Sequence, residues 1–206
     1  MDIPEGHNQS GDNHKVCLLK RPLYGLKQSP KQWNMRIVEF FQSIKFTPLK
    51  SDNCIFVKKN IWIAVYVDDI VIFTEDKNQS DIIVKLIEHE FDIKDLGEPK
   101  LLLGLNIEKI EGGLFIHQNE YAYDIVKQLQ MLECKPVSTP ISPGEKFTKS
   151  QCPTSDEGIN AMKHVPYRET IGKLLFLSKS TRPDILNATI SLSRFNSNPG
   201  PAHWRS

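Results

Sequence analysis

Two periodicities share the chain: short β-rich apolar runs bounded by turn residues, and longer stretches in which apolar positions recur every three or four residues. Cys54 to Val57 and Ile61 to Val65 predict two antiparallel strands joined by Lys58-Lys59-Asn60. The second strand continues through the run Ile61 to Phe73, IWIAVYVDDIVIF, which predicts another hairpin with its turn at Val67 to Asp69. Val16 to Leu19 predicts a further short strand. Leu101 to Ile110 and Leu114 to His117 predict a third hairpin, closed by Gly112-Gly113.

Helical spacing appears in Trp33, Ile37, Phe40 and Ile44, with Ser29 as the expected cap and Pro30 at the first helical position. A second helix is expected from Asn78 through Glu90, with Ile82, Ile83, Leu86 and Ile87 as its apolar stripe. Asn119 opens a third, carrying Tyr121, Ile125, Leu129 and Leu132. Residues 133–163 collect Pro136, Pro140, Pro143 and Pro153 among Ser, Thr and Lys, a composition expected of a tether. Pro166 opens a helix with Tyr167, Ile171, Leu174 and Leu175, which Thr181-Arg182-Pro183-Asp184 breaks before a last helix to about Phe195. Asn198-Pro199-Gly200-Pro201 is expected to stop the fold.

The length of 206 residues suits one large domain or two small ones, and a formal charge of +1 gives no global nucleic-acid signature. The local distribution says more. Lys15, Lys20, Arg21, Lys27, Lys31 and Arg36 occur before Glu39 with no acidic residue among them, which is either a solvated basic face or a phosphate-binding surface. Cys17, Cys54, Cys134 and Cys152 lie far apart and the histidines form no ligand-spaced cluster, so reduced, buried thiols are expected rather than a zinc site. No apolar run has the length of a membrane span or a signal peptide, which leads to the expectation of an intracellular chain without a membrane partner.

Asp68 and Asp69 change the picture most. An unpartnered carboxylate in an apolar setting costs several kcal/mol or more, so the pair must reach water, a donor or a cation. Two readings stand: a polar turn between core strands, or a rigid mount for a hard cation. Side chains alternate along a strand, so Tyr66 and Asp68 are expected to share a face, with Asp68 the stronger ligand.

Tyr66-Val67-Asp68-Asp69 between apolar strands resembles the catalytic hairpin of reverse transcriptases, and its surroundings resemble the copia-type branch of LTR retrotransposon Pol proteins. Four further stretches carry the resemblance in the family's order: Leu23-Tyr24-Gly25-Leu26-Lys27-Gln28-Ser29-Pro30, Lys94-Asp95-Leu96-Gly97, Leu103-Gly104-Leu105 and Thr181-Arg182-Pro183-Asp184-Ile185. Together they cover nearly the whole chain. The implied fold is α+β, a partial palm of antiparallel sheet with packed helices, followed by a helical thumb and connection. The implied divisions are an irregular segment at 1–14, a palm at 15–118 holding both hairpins, a thumb helix at 119–132, the linker at 133–163 and a helical connection at 164–206.

The implied activity is RNA-directed DNA polymerisation by two-metal nucleotidyl transfer, with Mg2+ as cofactor and Mn2+ as its substitute. Asp68 and Asp69 are then the catalytic and metal-binding carboxylates. Tyr24, Gly25, Lys27, Gln28, Lys31 and Tyr66 fall at nucleotide- or template-contacting positions, and Leu103 and Gly104 at the primer grip. Lys94 is the candidate general acid for departing pyrophosphate. Implied partners are an RNA or DNA template with a DNA primer, dNTPs and the remainder of a Pol polyprotein; the implied location is the cytoplasm, or a virus-like particle for a functional element.

Met1, Pro4, Glu5 and Gly6 resemble the tract that follows the first palm motif, and neither Asp2 nor Asp12 is a counterpart of that motif's aspartate. The expectation is an incomplete palm without fingers, without nuclease carboxylates and with little or no polymerase activity of its own. The alternative is a nonenzymatic nucleic-acid-binding or structural remnant.

Overall fold

A computed structural model describes residues 1, 3, 4, 6, 15–142 and 144–205, so most of the expected segment 1–14, and Pro143, lie outside the described residues. The chain folds as two compact units, Met1–Asp95 and Leu96–Ser206. Both combine helices with antiparallel sheet, in keeping with the expected α+β class.

The first unit begins with α1 (Ser29–Ser43), followed by β1 (Thr47–Pro48), β2 (Ile55–Lys58), β3 (Ile61–Tyr66), β4 (Asp69–Phe73) and α2 (Lys77–Glu90). The strands form one antiparallel sheet in the order β1-β2-β3-β4. Along β3, Ile61, Ile63 and Val65 point inward while Trp62 and Tyr66 are exposed, the period of two that a half-buried strand requires. The inward residues meet Ile37 and Phe41 of α1 and Ile83 and Ile87 of α2, with Phe46 and Phe56 completing the core. Phe41 and Phe56 are fully buried, with ring centroids 4.8 Å apart. Both helices therefore cover one face of the sheet, and the face carrying Trp62 and Tyr66 is left open.

Only half of the predicted α2 stripe is buried: Ile83 and Ile87 reach the core, whereas Ile82 and Leu86 are exposed. Asp76 caps this helix by accepting from the Asn78 amide at 2.9 Å. The expected strand at Val16 to Leu19 does not form. A strand needs a neighbour, and among the described residues the backbone bonds of this stretch are the two between Cys17 and Met1, with Leu18 92% exposed.

The second unit contains β5 (Leu101–Leu102), β6 (Leu105–Ile110) and β7 (Gly113–His117), then α3 (Asn119–Gln128), α4 (Asp156–Met162), α5 (Tyr167–Ser180), α6 (Leu186–Ser193) and α7 (Pro201–Arg205). The expected single strand Leu101 to Ile110 is in fact two strands, because Leu103 and Gly104 turn back on themselves with positive φ values of 50° and 79°. The next turn is Glu111-Gly112 rather than Gly112-Gly113, since Gly113 already pairs with Ile110 and the positive φ of 82° falls on Gly112. The hairpin expected within the palm thus belongs to the same compact unit as the helices that follow it.

The expected tether at 133–163 is partly helical. Ser155 accepts from the Gly158 amide at 3.2 Å, and Asp156 and Glu157 oppose the helix dipole in the first turn, which together support α4. The core gathers Tyr167 and Ile171 of α5 with Leu192 of α6, and the Tyr167 hydroxyl donates to the Leu192 carbonyl at 2.9 Å. Burial pushes the Tyr167 pKa up to about 12. The chain does not stop at Asn198 to Pro201: α7 follows, and its buried His203 stacks on Phe195 with centroids 4.0 Å apart. None of the described helices is long and apolar enough to cross a membrane, and the four cysteines are free, but not buried as expected: Cys54 and Cys134 are exposed, Cys17 and Cys152 half-buried.

Candidate nucleotide and nucleic-acid site

The Tyr66–Asp69 hairpin is closed by a two-residue turn, Val67-Asp68, because Tyr66 pairs directly with Asp69. This shifts the expected arrangement by one residue. Directly paired residues in an antiparallel sheet point to the same face, so Asp69, not Asp68, shares the open face with Tyr66. Asp68 projects from the turn itself. All four residues are exposed, Tyr66 at 60%, so both carboxylates reach solvent while Val65 and Ile63 root the hairpin in the core.

Val67 adopts a φ of 53°, which a β-branched residue rarely tolerates. Such strain persists only where the surroundings hold it. Here α1 supplies the hold: the Trp33 indole N–H donates to the Val67 carbonyl at 2.8 Å. Trp33 is itself wedged edge-on against Phe91, with centroids 5.4 Å apart.

The loop before α1 is equally determined. Leu26 and Ser29 close successive turns by donating from their amides to the Leu23 and Leu26 carbonyls at 3.3 and 3.0 Å. The expected cap is replaced: α1 starts at Ser29, Gln28 holds the cap position without a side-chain bond, and the Ser29 hydroxyl donates to the Leu23 carbonyl at 2.5 Å. A hydroxyl turned back on the loop cannot cap the helix; with the Ser29 amide bonded to Leu26, the Gln32 amide bonded to Gln28 and no N–H on Pro30, the Lys31 amide is the first-turn donor left toward solvent. Gly25 has a φ of 91° with open space where a Cβ would stand. Tyr24, Gly25, Lys27, Gln28 and Lys31 are all exposed, and no acidic residue occupies the first turn.

Trp33 lies two residues beyond Lys31 on the same helix, and its bond to Val67 fixes this part of α1 against the hairpin turn. Lys94 follows α2 in an exposed, irregular stretch. Arg36 of the basic segment forms an ion pair with Glu90, which removes it from the set of uncommitted cations. Leu103 and Gly104 occupy a turn in the second unit, where Gln118 donates from Nε2 to the Gly104 carbonyl at 3.3 Å. Helical spacing places Trp33 among the core positions, and no local pattern marks Gln118. An indole bordering an apolar stripe needs an acceptor, and that requirement was the available signal for Trp33.

The two aspartates offer hard oxygen donors of the kind a magnesium ion takes, and their exposure leaves room for water and phosphate oxygens to complete octahedral ligation. Among the described residues there is no group of three or more His, Cys, Asp or Glu side chains arranged to hold a metal. The donor type therefore fits, with two protein carboxylates as the contribution of this hairpin.

Residues 1–143 match the reverse transcriptase (RNA-dependent DNA polymerase) family. The chain is 38% identical over 99% of its length to the retrovirus-related Pol polyprotein from transposon TNT 1-94 of Nicotiana tabacum, of which it covers 16%. It is 31% identical over 98% of its length to the corresponding polyprotein from transposon RE1 of Arabidopsis thaliana, and 29% identical over 99% to that from RE2, covering 14% of each. It thus spans at most about a sixth of the length of these relatives. There is no significant match to a solved structure. With the family match extending over 143 of 206 residues and including the Tyr66–Asp69 hairpin and the loop before α1, the chain belongs to the reverse transcriptase family.

Proposed function

We propose that this chain carries part of the nucleotidyl-transfer centre of a retrotransposon reverse transcriptase, and that Asp68 and Asp69 are its metal-binding carboxylates. The observation that carries the proposal is the exposed Val67-Asp68 turn, strained at Val67, rooted in a buried sheet and bonded to Trp33. A turn that served only to reverse the chain would be cheaper with glycine at the left-handed position. Rigidity at the carboxylates is what a transfer centre requires, because small misplacements cost large factors in rate.

In this reading Asp68 and Asp69 would hold magnesium, with manganese as a substitute. When bound, the ion supplies charge stabilisation at the phosphates and lowers the pKa of the attacking hydroxyl. The chain's own groups bind and orient. Tyr66, on the open face with Asp69, positions the primer end by stacking. Tyr24, Gly25, Lys27, Gln28 and Lys31 contact the incoming dNTP and the template, the lysines by charge and the loop by backbone N–H donation. Lys94 delivers a proton to departing pyrophosphate. Leu103 and Gly104 contact the primer strand. A DNA primer on an RNA or DNA template, dNTPs and the remainder of a Pol polyprotein are the partners, in the cytoplasm or a virus-like particle.

Two neighbouring carboxylates are few for a two-ion site, so the isolated 206-residue chain should show little or no incorporation. The test is a replacement: residues 1–143 substituted for the matching segment of the Nicotiana tabacum polyprotein should support primer extension, and Asp68→Asn in that chimera should reduce it to background. A chimera equally active with Asp68→Asn would overturn the assignment. A second reading, a nonenzymatic nucleic-acid-binding remnant, is favoured by the exposed Lys20, Arg21, Lys27 and Lys31 around one loop. It predicts an inactive chimera and a chain that still binds primer–template duplex.

A further inference from the structure

Gln118 stands at the N-terminal boundary of α3 and is 2% exposed, yet its side chain does not cap that helix. Its carboxamide is used at both ends. Nε2 donates to the Gly104 carbonyl at 3.3 Å, and Oε1 accepts from the Thr181 hydroxyl at 2.9 Å. The turn it reaches is the Leu103-Gly104 reversal, in which both residues have positive φ. For a leucine that conformation is sterically unfavourable, so the turn needs an external hold.

The second unit supplies that hold from two helices. A Cβ at Gly104 would lie 3.2 Å from Phe176 Cζ, so the α5 ring already closes over the turn, and Tyr121 of α3 braces that ring edge-on at 5.3 Å. Thr181, the other partner of Gln118, ends α5 just before Arg182 and Asp184. These two form a double hydrogen bond at 2.9 and 2.7 Å that fixes the bend into α6. The carboxamide thus joins a strained, exposed turn to a bend made rigid by an ion pair.

We propose that Gln118 is a positioning residue: its amide sets the Leu103-Gly104 turn in the geometry that contacts the primer strand, with Thr181 as its anchor. The proposal rests on the reading of that turn as a primer contact. The chemistry is specific to glutamine. Glutamate cannot donate to the Gly104 carbonyl while ionised, asparagine is one methylene too short to span both partners, and methionine satisfies neither.

The experiment uses the full chain with Gln118→Ala, Gln118→Glu and Thr181→Val. Without nucleic acid, Gln118→Ala should raise amide exchange at Leu105 by about fivefold, with the Glu108 and Phe115 amides unchanged. Uniform loosening, or none, would overturn the tether. Gln118→Glu should loosen the turn at neutral pH and recover as pH falls, because burial raises the carboxyl pKa and the protonated form regains a donor. A flat pH profile would count against the hydrogen bond to Gly104 as the agent.

A duplex of DNA primer on RNA template, labelled at the primer 3′ end, then tests the consequence. Gln118→Ala should weaken its binding about fivefold, Thr181→Val less, and the double variant no more than Gln118→Ala. A loosened turn with unchanged binding would refute positioning while leaving the reverse-transcriptase reading intact. A local tether combined with no binding by the unaltered chain would instead remove the primer role of the turn itself.

Discussion

The indole N–H of Trp33 donates to the carbonyl of Val67 at 2.8 Å, across 34 residues of sequence, and ties the first helix to the one turn that carries adjacent aspartates. The bond satisfies two groups at once: an indole that would otherwise be half-buried without an acceptor, and a turn carbonyl held in an unfavourable conformation. Trp33→Phe keeps an aromatic ring against Phe91 while removing the donor and the second ring that carries it. The expected loss is about 1 kcal/mol of stability, with faster amide exchange confined to residues 66–69. Urea unfolding with residue-resolved exchange checks it; loss of the Phe91 packing would instead loosen α1 and α2 together.

Val67→Gly tests the strain itself. Relief of a left-handed β-branched residue returns about 1–2 kcal/mol, and glycine's extra freedom in the unfolded chain takes back about 0.5–1. The variant should therefore be as stable as the parent or up to about 1.5 kcal/mol more stable, where most substitutions destabilise. If the reading of the turn as a transfer centre holds, the active chimera should lose rate with this stable variant, since the carboxylates would sample more orientations. A clear drop in the unfolding midpoint would show that Val67 packing outweighs its strain.

The physical limits of reading the chain from its residues show in these same positions. The strands around Tyr66 to Asp69 were legible because apolar runs flank the turn: Ile61, Ile63 and Val65 alternate into the core from β3, and Ile70 and Ile72 pack against that core from β4. The turn was displaced by one residue because register depends on Ile63 pairing with Ile72 and Val65 with Ile70 in a common core, not on the turn preference of aspartate. Leu101 to Ile110 read as one strand because no local rule places leucine at positive φ; the hold comes from Phe176 and Gln118, far along the chain. The last helix was missed for a similar reason. Asn198-Pro199-Gly200-Pro201 has the composition of a stop, yet Gly200 packs against the Gln151 backbone where no side chain would fit, and Pro201 then starts α7. The five motif stretches needed no such long-range information and were legible as written.

His203 gives the second unit a pH dependence of definite sign. The ring is 1% exposed, its Nδ1 accepts from the Gly200 amide at 2.9 Å, and burial holds its pKa below the ordinary histidine value, against a smaller opposing effect of a hydrogen bond involving the Thr148 backbone. The unfolded chain therefore binds the proton first. The stabilisation is complete above about pH 6.5 and is lost as pH falls through the depressed folded value. His203→Asn, which retains an acceptor at the Nδ1 position and does not titrate in this range, should flatten the acid limb of a plot of unfolding midpoint against pH. An unchanged slope would assign the acid sensitivity to other groups.

The exposed lysines beside the loop before α1 decide whether that surface meets nucleic acid. Lys27 and Lys31 flank the start of α1, whose first turn carries no acidic residue, whereas Arg36 is already committed to Glu90. If both lysines meet phosphates of a primer–template duplex, each displaces about one condensed counterion, so Lys27→Ala and Lys31→Ala should each reduce the slope of log affinity against log salt by about one. Their double variant should lose about two, with folding unaffected because neither side chain is buried. Lys59, exposed in the turn between β2 and β3, serves as the control: Lys59→Ala should leave the slope unchanged if binding is confined to the loop and the start of α1. Equal reductions from all three would mean a diffuse attraction without a preferred face. A slope untouched by Lys27→Ala and Lys31→Ala, with duplex binding intact, would move the contact surface away from the loop and leave its donors without a phosphate partner.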